Sequence, residues 1–143
     1  MSDRLQHVQA YYDRMAPRLL AAYPQILTAD MRRAVDFYAG MLGFRVVYLY
    51  GEPPFYGLVV RDGAGLNLRH VDDPKRHQAP EAESVLAANI SVHGVKELFL
   101  DLERRGADFA QRLKEQPWGT RDFIVRDPDG NLLCFAEAGG SSG

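Results

Sequence analysis

The side chains best able to do chemistry in this chain are four histidines and one cysteine. Their placement argues against most of it. His7 lies in an N-terminal run read as a helix, and His70 stands with Asp72 and Asp73 where a strand gives way to a linker. His77 is in that linker, and His93 leads into a second helix. Each reads as a solvated polar residue, since histidine serves as often in that role as in metal binding. A reactive thiol needs a neighbouring cation or a helix N-terminus to lower its pKa, and Leu133-Cys134-Phe135 supplies neither locally. Cys134 therefore reads as a small apolar filler.

Binding chemistry is better represented. Trp118 precedes a strand, and Tyr48, Tyr50, Phe55 and Tyr56 cluster around another break. Aromatic faces suit flat or cationic organic molecules, by stacking and by attraction of a cation to the ring. Arg69 can neutralise an anionic substituent or pair locally with Asp72. The formal charge of −2, with both signs interspersed, gives no footprint for nucleic acid or an anionic membrane surface. No run reaches membrane-spanning length, a single cysteine forms no internal disulfide, and the polar start lacks a signal-peptide core. The expectation is a cytoplasmic protein, and 143 residues with 46% hydrophobic content suffice for one domain.

These residues need elements to position them. Residues 3–21 read as a separate helix with Leu5, Val8, Tyr11, Tyr12, Met15 and Leu19 near one face and Pro17 interrupting it, either packed on the body or in a dimer contact, or serving as a lid. Gln25 to Thr28 reads as a strand, and Asp30 caps a helix from Met31 to Leu42 that Gly43 stops. Strands are expected at 44–50, 56–61 and 65–69, and a charged, proline-containing linker at 71–83. The pattern then restarts: strand 86–92, helix 95–105 ended by Gly106, and strands 107–113, 122–126 and 131–137. Asp127-Pro128-Asp129-Gly130 turns the last two into a hairpin. Residues 139–143 read as a flexible tail.

The halves superpose as a repeat, with Asn67 and Cys134 at equivalent positions. The expected class is α+β. Two tandem βαβββ modules, about 23–71 and 86–138, form a curved mixed-sheet cup with helices on the outer face, preceded by an N-terminal helical extension, residues 1–22. A concave sheet face is where a ligand would sit.

From about Tyr23 to Glu137 the chain resembles the vicinal-oxygen-chelate superfamily of glyoxalases, extradiol dioxygenases and bleomycin-resistance proteins. The resemblance rests on Asp30-Met31-Arg32-Arg33-Ala34-Val35-Asp36-Phe37-Tyr38 with Leu42-Gly43-Phe44, and on Pro117-Trp118-Gly119-Thr120-Arg121-Asp122-Phe123 with Asp127-Pro128-Asp129-Gly130-Asn131-Leu132-Leu133. The second stretch is most similar to the bleomycin-resistance branch. Enzymes of this superfamily hold a divalent metal with His, Glu or Gln from the first and last strand of each half. The resemblance places those positions at Tyr23, Asn67, Ala87 and Cys134, and a slip of two residues gives Gln25, Arg69, Asn89 and Ala136. Neither set suits a hard or a borderline cation.

The expectation is thus a metal-free cup without a cofactor, lined by Tyr23, Gln25, Tyr48, Asn67, Arg69, Asn89, Trp118 and Cys134. The resemblance implies a homodimer that sequesters a small organic ligand, aromatic or hydrophobic, with cationic compounds included. Two alternatives stand beside it: a glyoxalase- or dioxygenase-like enzyme with an atypical site using Tyr23 or Arg69, and an interaction module whose cup is filled.

Overall fold

The computed structural model describes residues 3–139; most of the expected tail, 140–143, lies outside them. The described residues open with helix α1 (Asp3–Met15) and an irregular segment to residue 24. The first module is β1 (Gln25–Thr28), α2 (Met31–Val35) continued by a wider π-helical turn (Asp36–Met41), β2 (Arg45–Tyr50), β3 (Tyr56–Arg61) and β4 (Ala64–His70). Two 3-10 turns, Pro74–His77 and Glu81–Glu83, occupy the linker. The second module is β5 (Ala88–Ser91), α3 (Val95–Arg104), β6 (Phe109–Glu115), β7 (Thr120–Arg126) and β8 (Leu132–Ala138).

The modules form two separate four-stranded sheets, ordered β1-β4-β3-β2 and β5-β8-β7-β6. In each, the first strand pairs in parallel with the last and the remaining pairs are antiparallel. A parallel pair cannot be joined by a tight turn, so the helix must cross over one face of the sheet. Alternation then decides which side chains meet that helix. Ile26, Thr28, Val59, Leu66 and Leu68 in the first sheet, and Ala88, Phe123, Val125, Leu133 and Phe135 in the second, are buried on the helix side. Met31, Ala34 and Tyr38 cover the first set, and Val95, Phe99 and Leu102 the second, joining one core.

Local chemistry explains where the helices begin and end. Asp30 accepts the Arg33 N–H at 3.1 Å as an N-cap. α3 has no side-chain cap of its own; Glu137, reaching from β8, accepts the Gly94 and Val95 N–H groups at 3.1 and 2.9 Å. Gly43 and Gly106 close the two helices at φ of +75° and +82°, a region that disfavours a side chain.

Two expectations are corrected. The N-terminal helix ends at Met15 rather than running to residue 21, because the Pro17 ring disfavours helical geometry just before it. Nor does it pack on the body: none of its residues is buried.

The modules meet through the hairpin turn 127–131. Asp127 Oδ1 accepts the backbone N–H groups of Asp129 (2.9 Å) and Asn131 (2.8 Å), while its Oδ2 accepts the Tyr38 hydroxyl (2.7 Å) and Asn131 Nδ2 (2.9 Å). Asn131 Nδ2 also donates to the Leu27 carbonyl, and Asp129 Oδ1 accepts from Ala29 N and Arg33 Nη2. Burial pushes the Asp127 carboxyl above its ordinary range against the pull of these bonds, and burial followed by Asp127's charge pushes the Tyr38 hydroxyl well up.

Candidate functional site

The face of each sheet opposite its helix is the open one, and ladder register assigns its residues. In the first sheet Gln25 pairs with Asn67 and Leu27 with Arg69, Leu58 lies between Asn67 and Tyr48, and Tyr56 between Arg69 and Tyr50. One face therefore carries two amides, a cation and an aromatic-aliphatic wall. Tyr48 and Tyr56 stack diagonally across strands, 6.4 Å between ring centroids, and Tyr50 meets Phe55 edge-on at 5.5 Å. Tyr48 and Arg69 are exposed, and among the described residues Arg69 forms no ion pair, with Asp72 or otherwise. Tyr23, just before β1, lays its ring on Gly65. A Cβ at Gly65 would stand 2.5 Å from Tyr23 Cε1, so only glycine lets the ring settle there.

The second open face is different. Asn89 pairs with Cys134 and Ser91 with Ala136, and β7 adds Asp122 and Ile124. Asp122 is buried; its Oδ1 accepts from Gln111 Nε2 at 2.6 Å and Gln116 Nε2 at 2.9 Å, and its Oδ2 from the Thr120 hydroxyl at 3.3 Å. Burial and then the Asp122 charge push the Cys134 thiol up to about 11. The thiol is buried, and this shift favours its neutral form.

The ladder also settles which residues stand at the ends of the paired strands. Gln25 faces Asn67 and Asn89 faces Cys134, while Tyr23 and Ala87 lie two residues earlier on the same sides. The resulting set is three neutral amides and a thiol pushed to about 11. The set lacks the carboxylates and imidazoles that usually hold a divalent cation, and its amides bring no charge to one. No trio of His, Cys, Asp or Glu among the described residues is arranged to hold a metal.

Two cavities flank the seam between modules. One, about 630 Å³, is bounded by Gln25 and Leu27 of β1, Arg126 and Leu132 of the second sheet, and the linker 75–87. The linker is fixed there by Gln78, whose amide donates to the Asp129 carbonyl at 2.9 Å. The other, about 1170 Å³, lies between the turn 62–65 and Asn89, Ser91 and the start of α3. Gln25 and Asn89 thus reach different cavities, and Tyr23, Tyr48, Asn67, Arg69, Trp118 and Cys134 line neither. Trp118 sits at the tip of the β6–β7 hairpin, 72% exposed. Leu58, Asp122 and the linker wall were absent from the sequence expectation. The alternation Thr120-Asp122-Ile124-Arg126 carried a signal for Asp122, but nothing local marks the linker as a wall.

Comparison with known proteins agrees with this architecture. Residues 4–135 match the family model described as Glyoxalase/Bleomycin resistance protein/Dioxygenase superfamily. Proteins named bleomycin resistance protein from Geobacillus stearothermophilus and Staphylococcus aureus are 28% identical over 129 residues, covering 82% of this chain and 96% of theirs. Among solved structures, a bleomycin-binding protein from Streptomyces verticillus in complex with copper(II)-bleomycin superposes with a TM-score of 0.64 at 23% identity, covering 88% of this chain and 100% of that one. The antibiotic-binding protein TnmS3 from Streptomyces sp. CB03234 gives 0.63 at 24%, covering 85% and 99%.

Proposed function

This chain belongs to the Glyoxalase/Bleomycin resistance protein/Dioxygenase superfamily, and within it we propose a metal-free binding protein of the bleomycin-resistance type that sequesters a small aromatic or hydrophobic compound. The observation that carries this reading is the bare aromatic wall of the first open face: Tyr48 stacked on Tyr56, with Leu58 between the strands and Asn67, Gln25 and Arg69 beside it. Aromatic and aliphatic side chains supply contact area, and the few polar groups orient a ligand. The names of the relatives point to the same class of ligand. We propose further that the protein acts in the cytoplasm as a homodimer and protects its host from an antibiotic by holding it. The described helices include none long and apolar enough to cross a membrane.

The amide-and-thiol set at the strand ends leaves binding as the chemistry on offer. Titration of the purified protein with bleomycin and a panel of flat aromatic antibiotics, followed by calorimetry and Trp118 fluorescence, tests this. Saturable binding at one site per chain is expected. Stoichiometric Zn, Ni, Mn or Fe in protein purified without chelator would overturn the metal-free reading, and absence of binding across the panel the sequestering one.

A further inference from the structure

The arginines on the strands divide into those already partnered and those left bare. Six stand on strands of the two sheets. Arg112 pairs with Glu103 and lies over the Phe99 and Phe109 rings at 5.1 and 5.6 Å, and Arg126 pairs with Asp108 at 3.0 Å and Glu81 at 3.6 Å. Arg121 stands opposite Glu137 in the β7–β8 ladder, and Arg61 donates to the Leu42 carbonyl at 2.8 Å beside Asp62. Arg45 and Arg69 remain. Among the described residues neither forms an ion pair or lies over a ring, and both are exposed.

Ladder register places both on the first open face. Arg45 stands across from Val60, and Arg69 lies between Tyr56 and Leu27. Strands β1 to β4 contain no Asp or Glu, so nothing on this sheet answers the two charges. The second sheet carries Glu115, Asp122 and Glu137 among its own cations. Directly opposite residues hold their Cβ atoms about 5 Å apart, so the Arg69 guanidinium reaches the margin of anything laid on Tyr56. The Asn67 and Gln25 amides stand one row away as further donors.

We propose that the ligand of this face is an aromatic anion: a flat ring on Tyr48 and Tyr56 whose carboxylate, sulfonate or phosphate group meets the Arg69 guanidinium. The inference rests on the sequestering function proposed above and fixes the charge of what is sequestered. A ring face attracts cations, but a cationic ligand would meet two bare arginines here and no counter-charge. A neutral ligand would bury part of the Arg69 charge with no charge-assisted hydrogen bond in return. An anionic group accepts two parallel N–H bonds from the guanidinium, and each is stronger than its neutral counterpart.

Calorimetry with three ligands that share one ring system tests it: naphthoate, naphthamide and naphthylmethylammonium. The anion is expected to bind about tenfold tighter than the amide, with the cation weakest, and added NaCl should narrow the difference. Arg69→Gln should bring the anion and amide affinities level. Arg32→Gln, which removes an equal charge from an exposed position on α2, should leave their ratio unchanged. If the amide or the cation binds as tightly as the anion, or if Arg69→Gln preserves the ratio, the anionic inference is wrong although sequestering stands. If none of the three binds, the anionic inference is wrong; if the antibiotic panel fails as well, so is the sequestering reading.

Discussion

The two sheets share a ladder and differ in what they show to solvent. On the helix side they match closely: Leu66 and Leu68 of β4 do for α2 what Leu133 and Phe135 of β8 do for α3, all buried. On the open side they diverge. The first presents Tyr48, Tyr56, Leu58 and Arg69, the second Asp122 under its three donors, Cys134, Ala136 and Ser91. Even where both fill the same volume, the halves invert. Tyr23 lies on Gly65 in the first module, and register places Ala87 beside Leu132 at the corresponding positions of the second. Packing against a crossover helix restricts one face to close-fitting apolar side chains, whereas the open face answers to whatever it binds.

Breaking the seam that joins the halves should have the largest effect. Asp127→Ala leaves the Tyr38 hydroxyl, Asn131 Nδ2 and two backbone N–H groups without their acceptor. We expect a loss of about 3 kcal/mol in urea unfolding, with the m-value retained. Next comes the inverted pair: Gly65→Leu should cost about 2 kcal/mol by driving Tyr23 off the sheet. Adding Tyr23→Ala, which imports the second module's arrangement, should recover more than half of that loss in a double-mutant cycle.

The open faces can be ranked directly. For any aromatic ligand found by titration, Tyr48→Ala should raise Kd about tenfold, equivalent to ~1.4 kcal/mol, while Asn89→Ala on the second face should change it about twofold or less. Equal effects would place the ligand across both faces and remove the distinction drawn above. The smallest effect concerns Glu137, which holds the start of α3. Its carboxyl lies below the ordinary 4.5, chiefly through the Val95 N–H, with the Gly94 N–H and His93 assisting. A depressed folded-state pKa contributes stability above 4.5 that is lost as pH falls through the lower, folded value. The stability difference between the native chain and Glu137→Gln should therefore shrink in unfolding curves taken at successively lower pH below 4.5.

Much of this was legible in the residues. Asp30, Gly43 and Gly106 mark the helices, the period-two runs mark six of the eight strands, and the Asp127–Gly130 turn marks the last hairpin, because each signal is local. The α1 stripe was legible too, but whether anything covers it was not. The register of the open face was readable only to within two residues. Along β1 and β5 a shift of two keeps the same face, so Tyr23 and Gln25, or Ala87 and Asn89, cannot be told apart without the partner strand. Trp118 looked like a pocket wall from its type alone, yet the hairpin tip carries it into solvent.

What the sequence determined by itself is the repeat and the class of fold, since these depend on residue type and on periods of two and 3.6. Only tertiary structure decided that Gln25 faces Asn67, that Asp127 serves as the hub between modules by reaching Tyr38, and that the linker 75–87 walls a cavity. Those contacts join residues far apart in the chain, and their energies come from burial and long-range hydrogen bonds that no local pattern encodes.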